Sequence, residues 1–307
     1  MSTVPSGFLP LAGVYEPSAI VQLPDGRFLV VEDEKEHPFC LLSLGADGRV
    51  TDRVPVEQGL FDFNDSFWKL DDLEGLVLGR SGDIYAITSQ SLDGQGERKK
   101  SREKLVRFRI EGERVVEPRL AKGLKDSLLA AHPVLAASAS IADVKGGGGL
   151  NIEALDLSAD GQRLLLGFRS PLLGNRAIVA CVEDPQGIFE SDEAPRVAKA
   201  LITLDLQGHG IRAMSWVPVL AGHLVVSGPV SGEAGQFRLW FWSGNPTDPA
   251  RPVTVPGGTD LARAEGVSPA IIDGKPWIIL VSDEGSRKDR RCARYLLLDP
   301  QQLCIGD

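Results

Sequence analysis

Short apolar runs alternate with turn residues along the whole chain, a pattern that predicts β-strands. The clearest example is the segment LNIEALDLSADGQRLLLGFRSP at 150–171. A strand of alternating polar and apolar residues precedes Asp160-Gly161, a typical hairpin turn sequence, and a mostly apolar strand follows it. Arg169 and Ser170 stand where this second strand ends. The segment therefore predicts a β-hairpin with polar residues at its open end.

The same hairpin pattern occurs five times, with first strands near residues 18, 74, 153, 212 and 265. Spacings of this size between successive copies are typical of β-propeller blades. Each copy continues into two further strands, except the fifth, which nearly ends after Arg294–Leu298. We predict an all-β propeller with five blades, closed by pairing of an N-terminal strand at 8–14 with the last blade, because closure removes exposed sheet edges. Six blades is the alternative, with the sixth hidden in an insertion.

That insertion, at about 121–149, separates the second and third copies of the repeat. Lys125–Ala131 favours a short helix, and the four consecutive glycines Gly146–Gly149 predict a flexible hinge into the third blade. We interpret the chain as a single propeller domain, 1–307, that carries this insertion.

Composition and charge narrow the functional classes. The chain has 307 residues, 43% of them hydrophobic, and a net charge of −9, which argues against broad nucleic-acid binding. Its four cysteines show no metal-ligand spacing, so a reduced, cytoplasmic protein is expected. The first residues do not resemble a signal peptide, and no run of about 18 apolar residues predicts a membrane span.

Polar residues at corresponding positions of the five first strands form the candidate site. Side chains two residues apart on a strand share a face. On that basis one ring contains Ser18, Glu74, Glu153, Arg212 and Glu265. A second ring, two residues earlier, contains Glu16, Asp72, Asn151, Gly210 and Arg263. If the first strands are innermost, both rings lie at one mouth of the central channel.

So many acidic side chains in one narrow mouth would repel one another, and two arrangements would relieve the repulsion. In one, Arg212, Arg263 and backbone amides neutralise the ring internally, and the repeated glutamates have a structural role. In the other, a hard cation such as Ca²⁺ is the cofactor, because it binds carboxylate and amide oxygens. The best metal-ligand candidates are Glu16, Asp72, Asn151 and Glu153.

Loops that follow the second strands reach the same mouth, because each inner strand starts where its antiparallel neighbour ends. Two of these loops are basic, at 98–102 and 287–291. Cationic side chains around an acidic centre predict a small anionic ligand, although solvated loops would have the same composition. The predicted ligand-binding residues are Arg169, Arg212, Arg263, Lys99, Arg102 and Ser89.

Residues suited to catalysis are few. The chain has no GxSxG, P-loop, HExxH or GxGxxG motif. His37 is the histidine that the pattern places near the mouth, and it is the candidate general base, with Glu153 as the second catalytic candidate. His223 follows a turn and is expected to be exposed.

Three segments carry a family resemblance: YEPSAI, then DLEGL with YAITSQS and the basic loop, and LNIEAL followed by DGQRLLLGFRSPLL. They resemble bacterial proteins catalogued as domain of unknown function 3616, over about Val14–Leu298, which implies a propeller without implying an activity. The blade starts are more distantly similar to phytase-like esterases and calcium-dependent lactonases. The lactonase resemblance implies a metal held by Glu, Asn and Asp from different blades. Glu16 and Asn151 match two of those positions, but the fourth blade offers no acid.

The sequence thus predicts a propeller with a polar, acidic mouth that binds a small anionic molecule. The activity it would support is metal-assisted hydrolysis of an ester, lactone or phosphoester. The alternative is a non-catalytic scaffold whose rim binds a protein partner through exposed aromatics such as Trp68. Neither nucleic acid nor a membrane is an expected partner.

Overall fold

The computed structural model consists mainly of β-strands. It describes residues 7–32, 38–57, 65–190, 193–231, 235–258, 260–261 and 263–307. The chain enters through a two-residue strand, β1 (Leu9–Pro10). Within the described residues, no helix combines the length and apolar character needed to cross a bilayer.

The first three blades are four-stranded antiparallel sheets built from consecutive strands. Blade 1 contains β2 Pro17–Gln22, β3 Phe28–Glu32, β4 Phe39–Leu44 and β5 Val50–Pro55. Blade 2 contains β6 Leu73–Leu78, β7 Ile84–Thr88, β8 Leu105–Glu111 and β9 Arg114–Leu120. Blade 3 contains β10 Asn151–Leu157, β11 Arg163–Ser170, β12 Ala177–Glu183 and β13 Ile202–Leu204.

The last two blades borrow strands from the ends of the chain. Blade 4 contains β14 Gly210–Val217, β15 Gly222–Gly228, β16 Arg238–Trp242 and β17 Arg251–Thr254. Blade 5 contains β18 Ala264–Ile272, β19 Lys275–Ser282 and β20 Arg294–Leu298. Its fourth strand is β1, in which Leu9 pairs with Tyr295. The final strand, β21 (Cys304–Ile305), adds a fifth strand to blade 4, which the sequence pattern did not predict.

The five-blade prediction is confirmed by the packing of the inner strands. These strands contact one another in the order β2, β6, β10, β14, β18 and again β2. Five buried apolar clusters fill the spaces between successive blades. Two positions after each residue of the first polar ring stands an apolar residue, and each cluster contains one of these: Ile20, Leu76, Leu155, Met214 and Val267.

The insertion between β9 and β10 is helical, so the six-blade alternative is wrong. It contains α2 (Leu124–Ala131), α3 (Pro133–Ser138) and α4 (Val144–Gly147); the described residues outside the insertion contain two further α-helices, α1 (Asp65–Trp68) and α5 (Gly187–Glu190). Leu128 and Leu135 are fully buried in the cluster between blades 2 and 3. The predicted glycine hinge overlaps the end of α4, and the side chain of Asp143 caps the start of this short helix.

Candidate functional site

The inner strands surround a cavity of about 1510 Å³. Nine of the ten residues of the two predicted polar rings line it: Glu16, Ser18, Asp72, Glu74, Asn151, Glu153, Arg212, Arg263 and Glu265. The structure therefore brings together all four predicted metal ligands in the wall of one cavity. Whether any of these residues binds a ligand stays a prediction.

A β-bulge aims the first polar ring into this cavity. In each inner strand, one residue is skipped in the pairing with the second strand, and in each case it is the ring residue. In β6, Leu73 pairs with Thr88 and Gly75 with Ile87, so that Glu74 has no partner. The five bulged residues are Ser18, Glu74, Glu153, Arg212 and Glu265. Bulges re-aim side chains and recur next to functional sites, which explains why this ring faces the axis.

Gly210 is the ring member that does not line the cavity. A Cβ atom at this position would lie 2.0 Å from the carbonyl oxygen of Arg169 in blade 3. Only glycine permits that approach, so the fourth blade has no room for an acidic side chain here.

Glu153 is the centre of a buried network of charges. Its Oε1 accepts hydrogen bonds from Asn151 Nδ2 at 2.8 Å and from Arg169 Nη1 at 3.1 Å. Its Oε2 forms an ion pair with Arg212 Nε at 2.9 Å. Arg169 also donates to the carbonyl oxygens of Val230 and Ser231, which fixes its guanidinium. Both carboxylate oxygens of Glu153 are thus held by cations.

Arg212 continues this network into blade 5, where its Nη2 donates to Glu265. Burial alone would lower the pKa of Arg212, but the charges of Glu153, Glu265 and Glu74 raise it above its usual value. Burial raises the pKa of Glu265 to about 7, although the charge of Arg212 acts in the opposite direction. The internal neutralisation that the sequence offered as one arrangement is therefore present across blades 3, 4 and 5.

Glu74 has no direct partner of this kind. It makes no hydrogen bond or ion pair with another described residue, although its side chain faces the cavity. Burial raises its pKa well above the usual value, and the charges of Glu153, Asp72 and Glu265 raise it further, whereas the charge of Arg212 lowers it. A second buried acceptor, Asn151 Oδ1, also lacks a donor. An unpaired acid in the wall of a cavity is a group that a ligand can satisfy.

The basic side chains in the loop of blade 2 form ion pairs with acidic side chains of the same blade. Arg102 Nη1 lies 3.0 Å from Asp72 Oδ2 and also donates to Ser91 Oγ at 3.0 Å. Lys99 Nζ lies 3.2 Å from Asp93 and 2.7 Å from Glu97. Of the predicted anion-binding residues in this loop region, Arg102 lines the cavity, whereas Lys99 and the buried Ser89 do not.

Two of the four predicted calcium ligands, Asp72 and Glu153, are engaged by arginines. Among the described residues, no group of three or more His, Cys, Asp or Glu side chains is arranged to hold a metal ion. Glu153 does not fit as a ligand because Arg169 and Arg212 lie against its oxygens. Asp72 is paired with Arg102, which leaves Glu16 and Asn151 Oδ1 as available oxygens of the predicted set.

The charges of the lining residues differ from those expected for an anion site. Among the described residues, ten acidic side chains and five arginines line the cavity. Four of the arginines are held by carboxylates: Arg102, Arg169, Arg212 and Arg294. Arg263 has no ion pair with the described residues. Among the described lining residues, the charged side chains with neither a hydrogen bond nor an ion pair are two acids, Glu16 and Glu74, and one arginine, Arg263.

Three predicted features remain: His37, the second basic loop and Trp68. His37, the candidate general base, falls outside the described residues. In the second basic loop, Arg287 lies over the ring of Tyr15 at 4.7 Å, and the loop does not line the cavity. Trp68, the proposed anchor for a protein partner, is half-buried and packs edge-on against Phe39 and Phe67. This packing within the fold is a sufficient reason for an aromatic residue at this position.

The prediction for His223 is wrong, because this histidine is fully buried. Its Nδ1 lies 2.7 Å from Asp156 Oδ2, across the interface between blades 3 and 4. Its ring stacks on Trp242 with centroids 5.1 Å apart. The turn before it made the residue look exposed, but the partner is 67 positions away in the sequence.

A model of the family described as "Protein of unknown function (DUF3616)" matches residues 121–293, more than half of the chain. The chain belongs to this family. No curated protein matches it. The matched segment of this DUF3616 chain contains the network of Glu153, Arg212 and Glu265, whereas Glu74 precedes it.

Solved structures with similar folds are distant. The PQQ domain of pyranose dehydrogenase from Coprinopsis cinerea is 11% identical, with 99% of this chain and 85% of that chain covered and a TM-score of 0.47. PQQ-bound aldose sugar dehydrogenase from Streptomyces coelicolor is 14% identical, with 97% and 99% covered and a TM-score of 0.44. Hydrazine synthase from Kuenenia stuttgartiensis is 9% identical, with 94% and 87% covered and a TM-score of 0.43. At this level of similarity, the function of this DUF3616 chain has to be argued from its own residues.

Sequence reasoning missed two features of the site. The bulges were missed because a bulge depends on how two strands pair. The sequence signal that could have indicated them is a polar residue followed by Gly or Ala in each first strand. The pairing of the arginines was missed because their partners lie on other strands or loops, and for Arg212 both partners come from neighbouring blades. The acidic character of the mouth was predicted from the sequence.

Proposed function

We propose that this propeller is a small-ligand-binding protein and that its ligand carries a positive charge into the central cavity. The observation that carries the proposal is the unpaired carboxyl group of Glu74 in a wall whose arginines are mostly held by other acids. A cation there would gain a charge-assisted contact and would relieve the repulsion among the ring carboxylates. A protein that needed only a stable ring would gain by replacing Glu74 with a neutral residue.

This proposal changes the sign of the ligand predicted from the sequence. Among the described lining residues, Arg263 is the arginine without an ion pair, so an anion would have to bind there. The same cavity wall contains more carboxylates than arginines. The electrostatic cost of placing an anion beside like charges argues against it.

The test is a thermal-shift and calorimetric titration of the full chain with 1,4-diaminobutane, calcium chloride and inorganic phosphate at matched ionic strength. A cationic probe should raise the melting temperature, since a ligand at 100 times its Kd stabilises by about 2.7 kcal/mol. The shift should be lost in Glu74→Gln and retained in Glu111→Gln, a control at the exposed end of β8. Stabilisation by phosphate alone, lost in Arg263→Ala, would overturn the proposal in favour of an anion.

Metal-assisted hydrolysis is the second candidate, and the unpartnered Asn151 Oδ1 favours it because hard cations prefer such oxygens. Glu74, Asn151 and Glu16 would hold the ion, not Glu153. A bound Ca²⁺ would polarise a carbonyl or phosphoryl group. Hydrolysis of p-nitrophenyl acetate, γ-butyrolactone or p-nitrophenyl phosphate that requires added calcium and is stopped by EDTA would support this function. Equal rates for wild type and Glu74→Gln would contradict it.

A further inference from the structure

The first polar ring divides into two unlike arcs. Across blades 3, 4 and 5, the ring residues are Glu153, Arg212 and Glu265, and Arg212 pairs with both acids. Across blades 5, 1 and 2, the ring residues are Glu265, Ser18 and Glu74, and no cation stands among them. Ser18 has no hydrogen-bond partner among the described residues. This second arc is called the acceptor arc below.

From this arc we infer that the ligand presents a primary ammonium group to Glu74, Ser18 and Asn151; the inference rests on the proposed function. Asn151 belongs to the second polar ring, in blade 3, which is next to blade 2 at the end of the acceptor arc. It lines the cavity and is 5% exposed. Its Oδ1 has no donor, so the site has an unmet acceptor besides its acids.

The number of acceptors matches an ammonium group. A primary ammonium has three N–H donors that diverge from one nitrogen. Glu74, Ser18 and Asn151 belong to three successive blades and line the same cavity. A guanidinium presents its donors in one plane, which suits a pair of acceptors on one side.

A metal ion fits the acceptor arc less well. Ca²⁺ requires six to eight oxygens at about 2.3–2.6 Å. Two carboxylates near the arc, Glu153 and Asp72, are occupied by arginines. No triad of metal-binding side chains exists among the described residues.

A quaternary ammonium also fits less well. Such cations are recognised by the faces of aromatic rings. Among the described residues, Phe8 and Phe237 are the aromatic side chains that line the cavity. Arg294 lies over Phe8 at 4.8 Å and Arg212 over Phe237 at 5.4 Å, so these rings already hold a cation.

The experiment compares three cations by calorimetry on the full chain: n-butylammonium, butyltrimethylammonium and calcium, each titrated to millimolar concentration at low salt. Butylammonium should bind at least about tenfold more tightly than butyltrimethylammonium, because the latter has no N–H donor. Glu74→Gln should weaken butylammonium binding at least about tenfold, and Ser18→Ala should weaken it by a smaller factor. Glu111→Gln should bind like wild type.

The outcomes separate this inference from the proposed function. Equal binding of the two organic cations, or calcium binding that depends on Glu74 while butylammonium does not bind, would overturn the ammonium assignment and leave a cation site in place. Binding of no cation would overturn both. Butylammonium binding that Glu74→Gln and Ser18→Ala leave unchanged would place the ammonium elsewhere and overturn the assignment.

Discussion

Replacing Glu265 with glutamine should change how stability depends on pH. Burial raises the pKa of Glu265 from 4.5 to about 7 in the folded protein, with Arg212 opposing the shift and Glu153 and Asp283 adding to it. The folded state therefore holds this proton more tightly than the unfolded chain does. The resulting stabilisation is complete below the unfolded pKa and is lost as the pH rises through about 7.

The size of this effect follows from proton linkage. Between pH 5 and pH 8, the titration of Glu265 should remove roughly 2.5 kcal/mol from the free energy of unfolding. Urea denaturation of wild type, Glu265→Gln and the surface control Glu111→Gln across this range measures it. The wild type should lose that amount relative to Glu265→Gln, whereas Glu111→Gln should follow the wild type. A difference that stays constant, or that favours the wild type as the pH rises, would refute the reasoning.

Three further predictions concern stability. Glu74→Gln should raise the free energy of unfolding at pH 8, because burial penalises the charged carboxylate; urea denaturation that showed a loss would count against this. Gly75→Ala should cost about 1–3 kcal/mol in the same assay, since a Cβ atom there would lie 2.6 Å from Leu155 Cβ; an unchanged midpoint would mean that the blades separate easily. His223→Leu should cost about 3–5 kcal/mol, because it leaves Asp156 buried without its partner, and a cost under about 1 kcal/mol would show that this contact is dispensable.

The parts of the fold that could be predicted from the sequence are those that depend on neighbouring residues in the chain. Hairpin turns such as Asp160-Gly161 and the alternation of strand residues are local, and they repeat five times, so the blade number followed. The spacing of Glu74, Glu153 and Glu265 from their turns was enough to place all three at one mouth. The helical insertion was partly visible at Lys125–Ala131, but the second helix, α3, which begins at Pro133, was not predicted.

The rest depended on contacts between blades. The second ring was derived from strict alternation, and the bulges interrupt that alternation at the site itself. Whether Arg169 and Lys99 bind a ligand or an internal acid depends on which acids the folded chain brings beside them, which composition does not reveal. A count of basic residues near the mouth therefore predicted an anion, whereas the pairing leaves the uncommitted charge acidic.

Glu74 and Glu265 show why the repeat does not determine the role of each copy. Both stand in the same sequence, glutamate followed by glycine and an apolar residue, and both occupy a bulge. Glu265 has Arg212 as its neighbour in the ring, while Glu74 lies between Ser18 and Glu153, whose charge is already matched. The repeat can supply a structural reason for an acid in every blade only where the next blade supplies its counter-charge. In blade 2 that reason is missing, and the proposed ligand would supply the counter-charge that the neighbouring blades do not.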